Sequence, residues 1–157
     1  MNIRLITEED IPKWKKLSFE HDCYIKEFNS DFTGWYTKNE QSQTYNKYIE
    51  SKVRQKEVYM AVDISDNCLG VIAFSKKRNY ITFFGISENA NVKIIGNKLL
   101  FQAIKLLDNN KNIGTKLICS NSDWIKQYRD LLEENGFRET GMLIKNQIPF
   151  ITFVKNQ

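Results

Sequence analysis

The stretch 79–109, NYITFFGISENANVKIIGNKLLFQAIKLLDN, decides how the rest of the chain is read. Tyr80 to Ile86 is strongly apolar and rich in β-branched and aromatic residues, which predicts a strand. A short polar break follows. Then Ile95, Leu99, Leu100, Ala103, Ile104 and Leu107 recur at helical spacing, an apolar stripe wide enough to lie on a sheet. Gly96 falls in the first turns of this helix. A strand that empties into a helix N-terminus presents free backbone N–H groups and the positive end of the helix dipole, a ready site for phosphate.

Upstream of this junction the hydrophobic period is two. Val58, Met60, Val62 and Ile64 alternate with Tyr59, Ala61 and Asp63, and Leu69 to Phe74 forms a second apolar run after the turn Ser65-Asp66-Asn67. With Tyr80–Ile86 these make three consecutive strands. Their connections are too short for parallel crossovers, so they form an antiparallel meander. Earlier still, Asn2 to Ile6 reads as a strand. Thr7 with Glu8, Glu9 and Asp10 reads as a helix start, and Ile11, Trp14, Leu17 and His21 line one face. Periodicity fades from Cys23 to Gly34, where aromatic residues are dense. Tyr45, Tyr48, Ile49, Lys52 and Val53 then mark a second helix over 40–54.

Downstream, Lys116 to Ser120 is a short strand. Ser122 or Asp123 caps a helix that turns Trp124, Ile125, Tyr128, Leu131 and Leu132 inward. Asn135-Gly136 is a helix stop, since glycine takes the left-handed conformation at that place. Two strands at about 138–144 and 148–154 are joined at Asn146-Gln147, and Pro149 belongs at the start or edge of its strand. The order β-α-α-β-β-β-α-β-α-β-β lacks the strict alternation of a Rossmann domain. It predicts an α/β (α+β) domain over 1–157, with a mixed, mostly antiparallel sheet of about seven strands and helices on both faces.

Composition narrows the function classes. The chain has 157 residues, 41% hydrophobic and 13% aromatic, which predicts one folded domain with one core. No apolar run approaches the roughly 18–20 residues that cross a bilayer, and the N-terminus lacks a signal-peptide core, so the expected location is the cytoplasm. Cys23, Cys68 and Cys119 are far apart, and His21 is the only histidine. That argues against a disulfide framework, a Cys/His metal site and a Cys–His dyad, and leaves the cysteines as small hydrophobes. The net charge of +4 is spread along the chain, so no nucleic-acid footprint is read.

The element order, together with Ile3-Arg4-x-x-Thr7-x-x-Asp10 at the start, Gly96-Asn97-Lys98-Leu99-Leu100 in the middle and Gly136-Phe137 near the end, resembles the GNAT superfamily of N-acetyltransferases over nearly the whole chain. The resemblance implies acetyl-CoA as co-substrate and a small-molecule or peptide amine as acceptor. A membrane or nucleic-acid partner is not implied, and a homodimer is left open. In the family an Arg/Gln-x-x-Gly-x-Gly/Ala loop holds the pyrophosphate with its backbone N–H groups. Aligned on Gly96, that loop is Asn91, Val92, Lys93, Ile94 and Ile95, with Asn97 following. Asn91 stands in the Arg/Gln place and Ile94 in that of the middle glycine. The end of the fourth strand, Phe84, Gly85 and Ile86, would take the acyl arm, and the backbone N–H of Ile86 would be the oxyanion donor. Asn121 and Ser122 would contact the pantetheine.

Two family features are replaced. The fourth strand has no carboxylate to act as base, since Glu88 lies beyond it. The usual tyrosine acid four residues before Gly-Phe is Leu132, so Tyr128, one turn earlier on the same face, is the candidate acid or else a packing tyrosine. The acceptor side would come from 19–50, where Asp22, Glu27 and Asp31 could attract an amine. Two readings result: an acetyl-CoA-dependent N-acetyltransferase acting by direct attack, or an inactive acyl-CoA-binding or protein-interaction module of the same fold.

Overall fold

The computed structural model describes residues 1–30 and 43–156. In chain order the described residues form β1 (Asn2–Leu5), α1 (Ile11–Phe28), α2 (Gln43–Arg54), β2 (Val58–Val62), β3 (Cys68–Ser75), β4 (Tyr80–Ile86), α3 (Val92–Leu106), β5 (Ile113–Ile118), α4 (Asp123–Glu134), β6 (Phe137–Lys145) and β7 (Ile148–Lys155). The strands make one sheet in the order β1-β2-β3-β4-β5-β7-β6. Every neighbouring pair is antiparallel except β4 and β5. This is the mixed sheet with helices on both faces that the periodicity predicts.

Local chemistry explains most of the boundaries. The Arg4 guanidinium grips Asp10 at 2.5 and 2.9 Å, and Thr7 donates to the same carboxylate from N–H and hydroxyl, which ties β1 to the start of α1. The hydrogen bond from Arg4 holds the Asp10 carboxyl below its ordinary range. Asn146 and Gln147 both take positive φ, 52° and 69°, the backbone of a tight hairpin turn between β6 and β7. Gly136, at φ 90°, ends α4 as expected.

Three boundaries differ from the sequence reading. β2 stops at Val62 and leaves Ile64 98% exposed in the turn, because the Asp63 carboxylate caps the N–H groups of Ser65 and Asn67. β5 begins at Ile113 rather than Lys116, and Gly114 belongs to the strand, its empty side filled by the Tyr80 ring. α1 runs on through Phe28, about two turns past the point where its apolar period fades, because Ile25 remains buried on it. Residues 40–42 of the expected second helix, with Asp31 and the aromatics Phe32, Trp35 and Tyr36, lie outside the described residues.

Two cores sandwich the sheet. On one face Trp14, Leu17, Tyr45 and Ile49 of α1 and α2 pack on Val58, Met60, Val71 and Ala73. On the other, Ile95, Leu99, Leu100 and Ala103 of α3 and Tyr128, Leu131 and Leu132 of α4 pack on Ala61, Ile72, Phe74 and Ile81. No helix among the described residues is long and apolar enough to cross a membrane.

β4 and β5 are joined at one end and open at the other. Their only pair in register is Tyr80 with Gly114. That end is fastened. The Gly114 N–H reaches Asn79 O at 3.2 Å, and the Thr115 hydroxyl reaches Ile81 O at 3.2 Å. The Asn79 amide bridges Asp108 O and Asn112 O, each at 3.0 Å, and accepts from the Asp108 N–H. Beyond Ile81 and Thr115 the two strands make no further pairs, so the sheet splits toward Ile86 and Ile118.

Candidate active site

The split lets side chains from opposite faces of the sheet meet. His21 comes from α1 on one face, and Trp124 and Tyr128 come from α4 on the other. The His21 ring lies 4.6 Å from that of Trp124 and 6.0 Å from that of Tyr128. Tyr24, one turn beyond His21, stacks on Trp124 at 5.0 Å, and its hydroxyl donates to the Glu88 carboxylate. Helices on opposite faces of a continuous sheet stand too far apart for such contacts, because a layer of backbone and side chains separates them. Here an aromatic column passes through the sheet.

The end of β4 lies against this column. A Cβ on Gly85 would stand 2.9 Å from Phe83 Cζ and 3.2 Å from His21 Cδ2, so glycine at this position makes room for both rings. Phe84 packs edge-on against Tyr128, with ring centroids 5.5 Å apart. The Ile86 N–H donates to the Tyr128 hydroxyl at 2.9 Å in a buried setting. Tyr128 is 1% exposed, and burial pushes its hydroxyl well above the ordinary phenol range. Tyr128 is therefore held at a fixed place, its oxygen against the backbone donor of Ile86. Leu132, in the place where the resemblance puts an acid, is a core leucine.

The sequence places His21 only on the inner face of its helix. The residue is half-buried, and its Nε2 is sealed from solvent with no hydrogen-bond partner among the described residues. Burial pushes its imidazole down to about 4. Nothing local signals this placement, since the ring takes its surroundings from β4 and α4, which lie far along the chain.

Past Ile86 the chain turns sharply. The Ser87 N–H bonds Leu69 O and the Ala90 N–H bonds Ser87 O, which anchors the loop to the sheet. Asn91 caps α3, its side-chain oxygen accepting from the Ile94 N–H at 3.0 Å, while the Ile95 N–H bonds Asn91 O. By helix geometry this leaves the N–H groups of Val92 and Lys93 directed off the helix end. In the free chain the donors expected from Val92 through Gly96 thus reduce to two, because the cap and the first helical turn use the others. The Lys93 ammonium lies 3.7 Å from the Glu134 carboxylate.

The remaining predicted positions spread around this centre. Ile94 is 54% exposed, whereas Ile95 and Gly96 turn into the core. Asn97 accepts from the Asn135 amide at 2.8 Å and lines a groove with Ile3 and Phe101 on the outer side of α3. Asn121 lies beside the start of α4 in a smaller hollow with Lys126 and Arg129. Ser122 caps α4 by accepting from the Ile125 N–H. Phe84, Gly85, Ile86 and Tyr128 therefore converge, Asn91, Val92, Lys93 and Ile94 form the adjoining helix end, and Asn97 and Asn121 flank it. Asp22 is buried on α1 and Glu27 is exposed. The Cys68 thiol is pushed up to about 11 by burial, which removes it as a nucleophile at neutral pH. Among the described residues no cluster of His, Cys, Asp and Glu could hold a metal ion.

Comparison with known proteins assigns this arrangement a family. A model of the GNAT acetyltransferase domain matches residues 3–148. No curated protein matches the chain at the sequence level. Solved structures match over almost the whole chain. A GNAT-family acetyltransferase from Streptococcus agalactiae superposes with a TM-score of 0.71 at 12% identity, covering 99% of this chain and 95% of that one. The ribosomal-protein-S18-alanine N-acetyltransferase from Escherichia coli gives 0.68 at 13% identity, over 99% and 92%. A chain of the NatC complex, solved with Gag peptide and CoA, gives 0.65 at 18% identity, over 99% and 98%. At such identities the likeness to these structures is one of fold.

Proposed function

The chain belongs to the GNAT acetyltransferase family, and we propose that it moves an acetyl group from acetyl-CoA to an amine by direct attack, the acceptor being a small molecule or a peptide. The observation that carries this reading is the split between β4 and β5, with the Ile86 N–H at its open end and the start of α3 beside it. An acyl arm laid at the open end of the split meets the Ile86 N–H. The α3 terminus offers its free N–H groups and dipole to the cofactor's phosphates. CoA in the NatC structure supports the same co-substrate here.

The chemistry has three requirements. The amine must lose a proton, the carbonyl oxygen needs a donor as charge develops on it, and the thiolate must be neutralised. A thioester oxygen accepting from the Ile86 N–H replaces the Tyr128 hydroxyl as that donor's partner. One such donor lowers the barrier by roughly 2.7–4 kcal/mol. Tyr128, kept protonated by burial, is then released to give its proton to the departing thiolate. Asn91 to Ile94 hold the pyrophosphate, and Lys93 exchanges its exposed contact with Glu134 for phosphate. The protein acts in the cytoplasm.

Thermal shift is the first test. Acetyl-CoA should raise the melting temperature, and a panel of primary amines should release free CoA thiol. Stabilisation without thiol release across the panel favours the binding module. No shift at millimolar acetyl-CoA removes both CoA-based readings.

A further inference from the structure

We propose that His21 accepts the proton of the attacking amine, its Nε2 edge lying against Gly85 in the split opposite Tyr128. The inference rests on the acetyltransfer reading above.

The reaction needs a proton acceptor, and β4 supplies no carboxylate. Among the described residues, two titratable side chains meet within the split. Tyr128 enters from α4 and His21 from α1, with ring centroids 6.0 Å apart. At the mouth, Tyr24 of α1 and Glu88 of the following loop are engaged with each other. Tyr128 already sits on the oxyanion donor, which leaves the opposite side to the nucleophile. His21 Cδ2, the carbon bonded to Nε2, is 3.2 Å from where a Gly85 Cβ would stand, one residue before Ile86. Nε2 is a buried polar atom with no partner among the described residues. Such an atom is costly when unsatisfied, so its burial calls for a function that satisfies it.

The ring's protonation state suits the step. Burial pushes the imidazole down to about 4, so it is neutral and able to accept at pH 7. As the carbonyl oxygen becomes negative at Ile86, that charge favours the imidazolium and raises the basicity of Nε2 when it is needed. The amine nitrogen bonds to the carbonyl carbon, and its proton passes to Nε2. The C–S bond then breaks with its electron pair on sulfur, and Tyr128 protonates the thiolate. The imidazolium proton returns to the Tyr128 oxygen through water. The net change is amine plus acetyl-CoA to amide plus CoA thiol.

The test uses the full chain, acetyl-CoA, and a panel of spermidine, an aminoglycoside, an alanine-terminated peptide and a lysine peptide. His21→Phe and His21→Gln should bind acetyl-CoA with unchanged affinity by calorimetry. Both should lower kcat by 10²–10⁴-fold and remove the acidic limb of the pH profile. The phenylalanine fills the same space without the orphan nitrogen, so loss of fold will not mask the result. Wild-type turnover with His21→Phe within threefold of it overturns the inference and leaves the acetyltransfer reading intact. Absence of acetyl-CoA binding by the wild type defeats that reading and the inference with it. If acetyl-CoA binds and no panel amine reacts, the sole histidine decides by nitrogen NMR. An Nε2 resonance that moves on saturation with acetyl-CoA supports the placement, and an unmoved one overturns it.

Discussion

At Gly96 a Cβ would stand 2.2 Å from Leu131 Cδ2 and 3.1 Å from Ile86 Cδ1. The glycine is needed because α3 crosses α4 there. The family's loop implies a different reason, since a glycine among N–H groups that hold a pyrophosphate lets the backbone approach it closely. Gly96→Glu would bury a charge against Leu131, so its effect on binding would not report on phosphate. Gly96→Ala separates the two reasons. Overpacking costs about 1–3 kcal/mol, offset by roughly 1 kcal/mol of helix propensity. The expected outcome in urea is a net loss of about 1 kcal/mol, and Leu131→Ala in the same chain should show favourable coupling with it. His21 carries a second residue-scale prediction. Its pKa is near 4 when folded, against about 6.5 when unfolded. The unfolded chain therefore binds the extra proton as pH falls through 6.5, and stability present above that pH is lost progressively toward 4. The loss is on the order of 3 kcal/mol. With one histidine in the chain, His21→Phe should flatten urea stability between pH 6.5 and about 4.5.

The start of α3 shows how one element serves two masters. Asn91 satisfies the Ile94 N–H in the free chain, and a cap of this kind contributes about 1 kcal/mol. The same N–H is one that a pyrophosphate would use. Asn91→Ala should therefore lower the melting temperature of the free chain and enlarge the rise produced by acetyl-CoA, because the ligand no longer displaces an internal acceptor. An equal rise in both chains places the phosphates elsewhere. The sequence supplied the element itself, since the apolar stripe from Ile95 to Leu107 and the capping asparagine are local signals. It did not supply the continuation of α1 to Phe28, where Asn29 ends the helix and Ile25 is buried. Those extra turns follow His21 and hold Tyr24 over Trp124. A stripe fades when a helix leaves the main core, even though its backbone hydrogen bonds continue.

For the molecule as a whole, the sheet is continuous from β1 to β4 and from β5 through β7 to β6, and it is opened between β4 and β5. Asn79 holds the closed end by bonding across to the loop before β5. The aromatic column at the open end joins two cores that an intact sheet would keep apart. The seven strands and four helices of the described residues, and their order, are legible in the sequence, because periods of two and 3.6 and the chemistry of turns and caps act over a few residues. The sequence also placed Ile86 and Tyr128 on a strand end and on the inner face of a helix. Tertiary packing alone sets the Tyr128 oxygen on the Ile86 N–H, brings Gly96 against Leu131, and lets His21 meet Tyr128 across the split. Each of those contacts spans 35 residues or more, and no local pattern fixes where two strands of one sheet part.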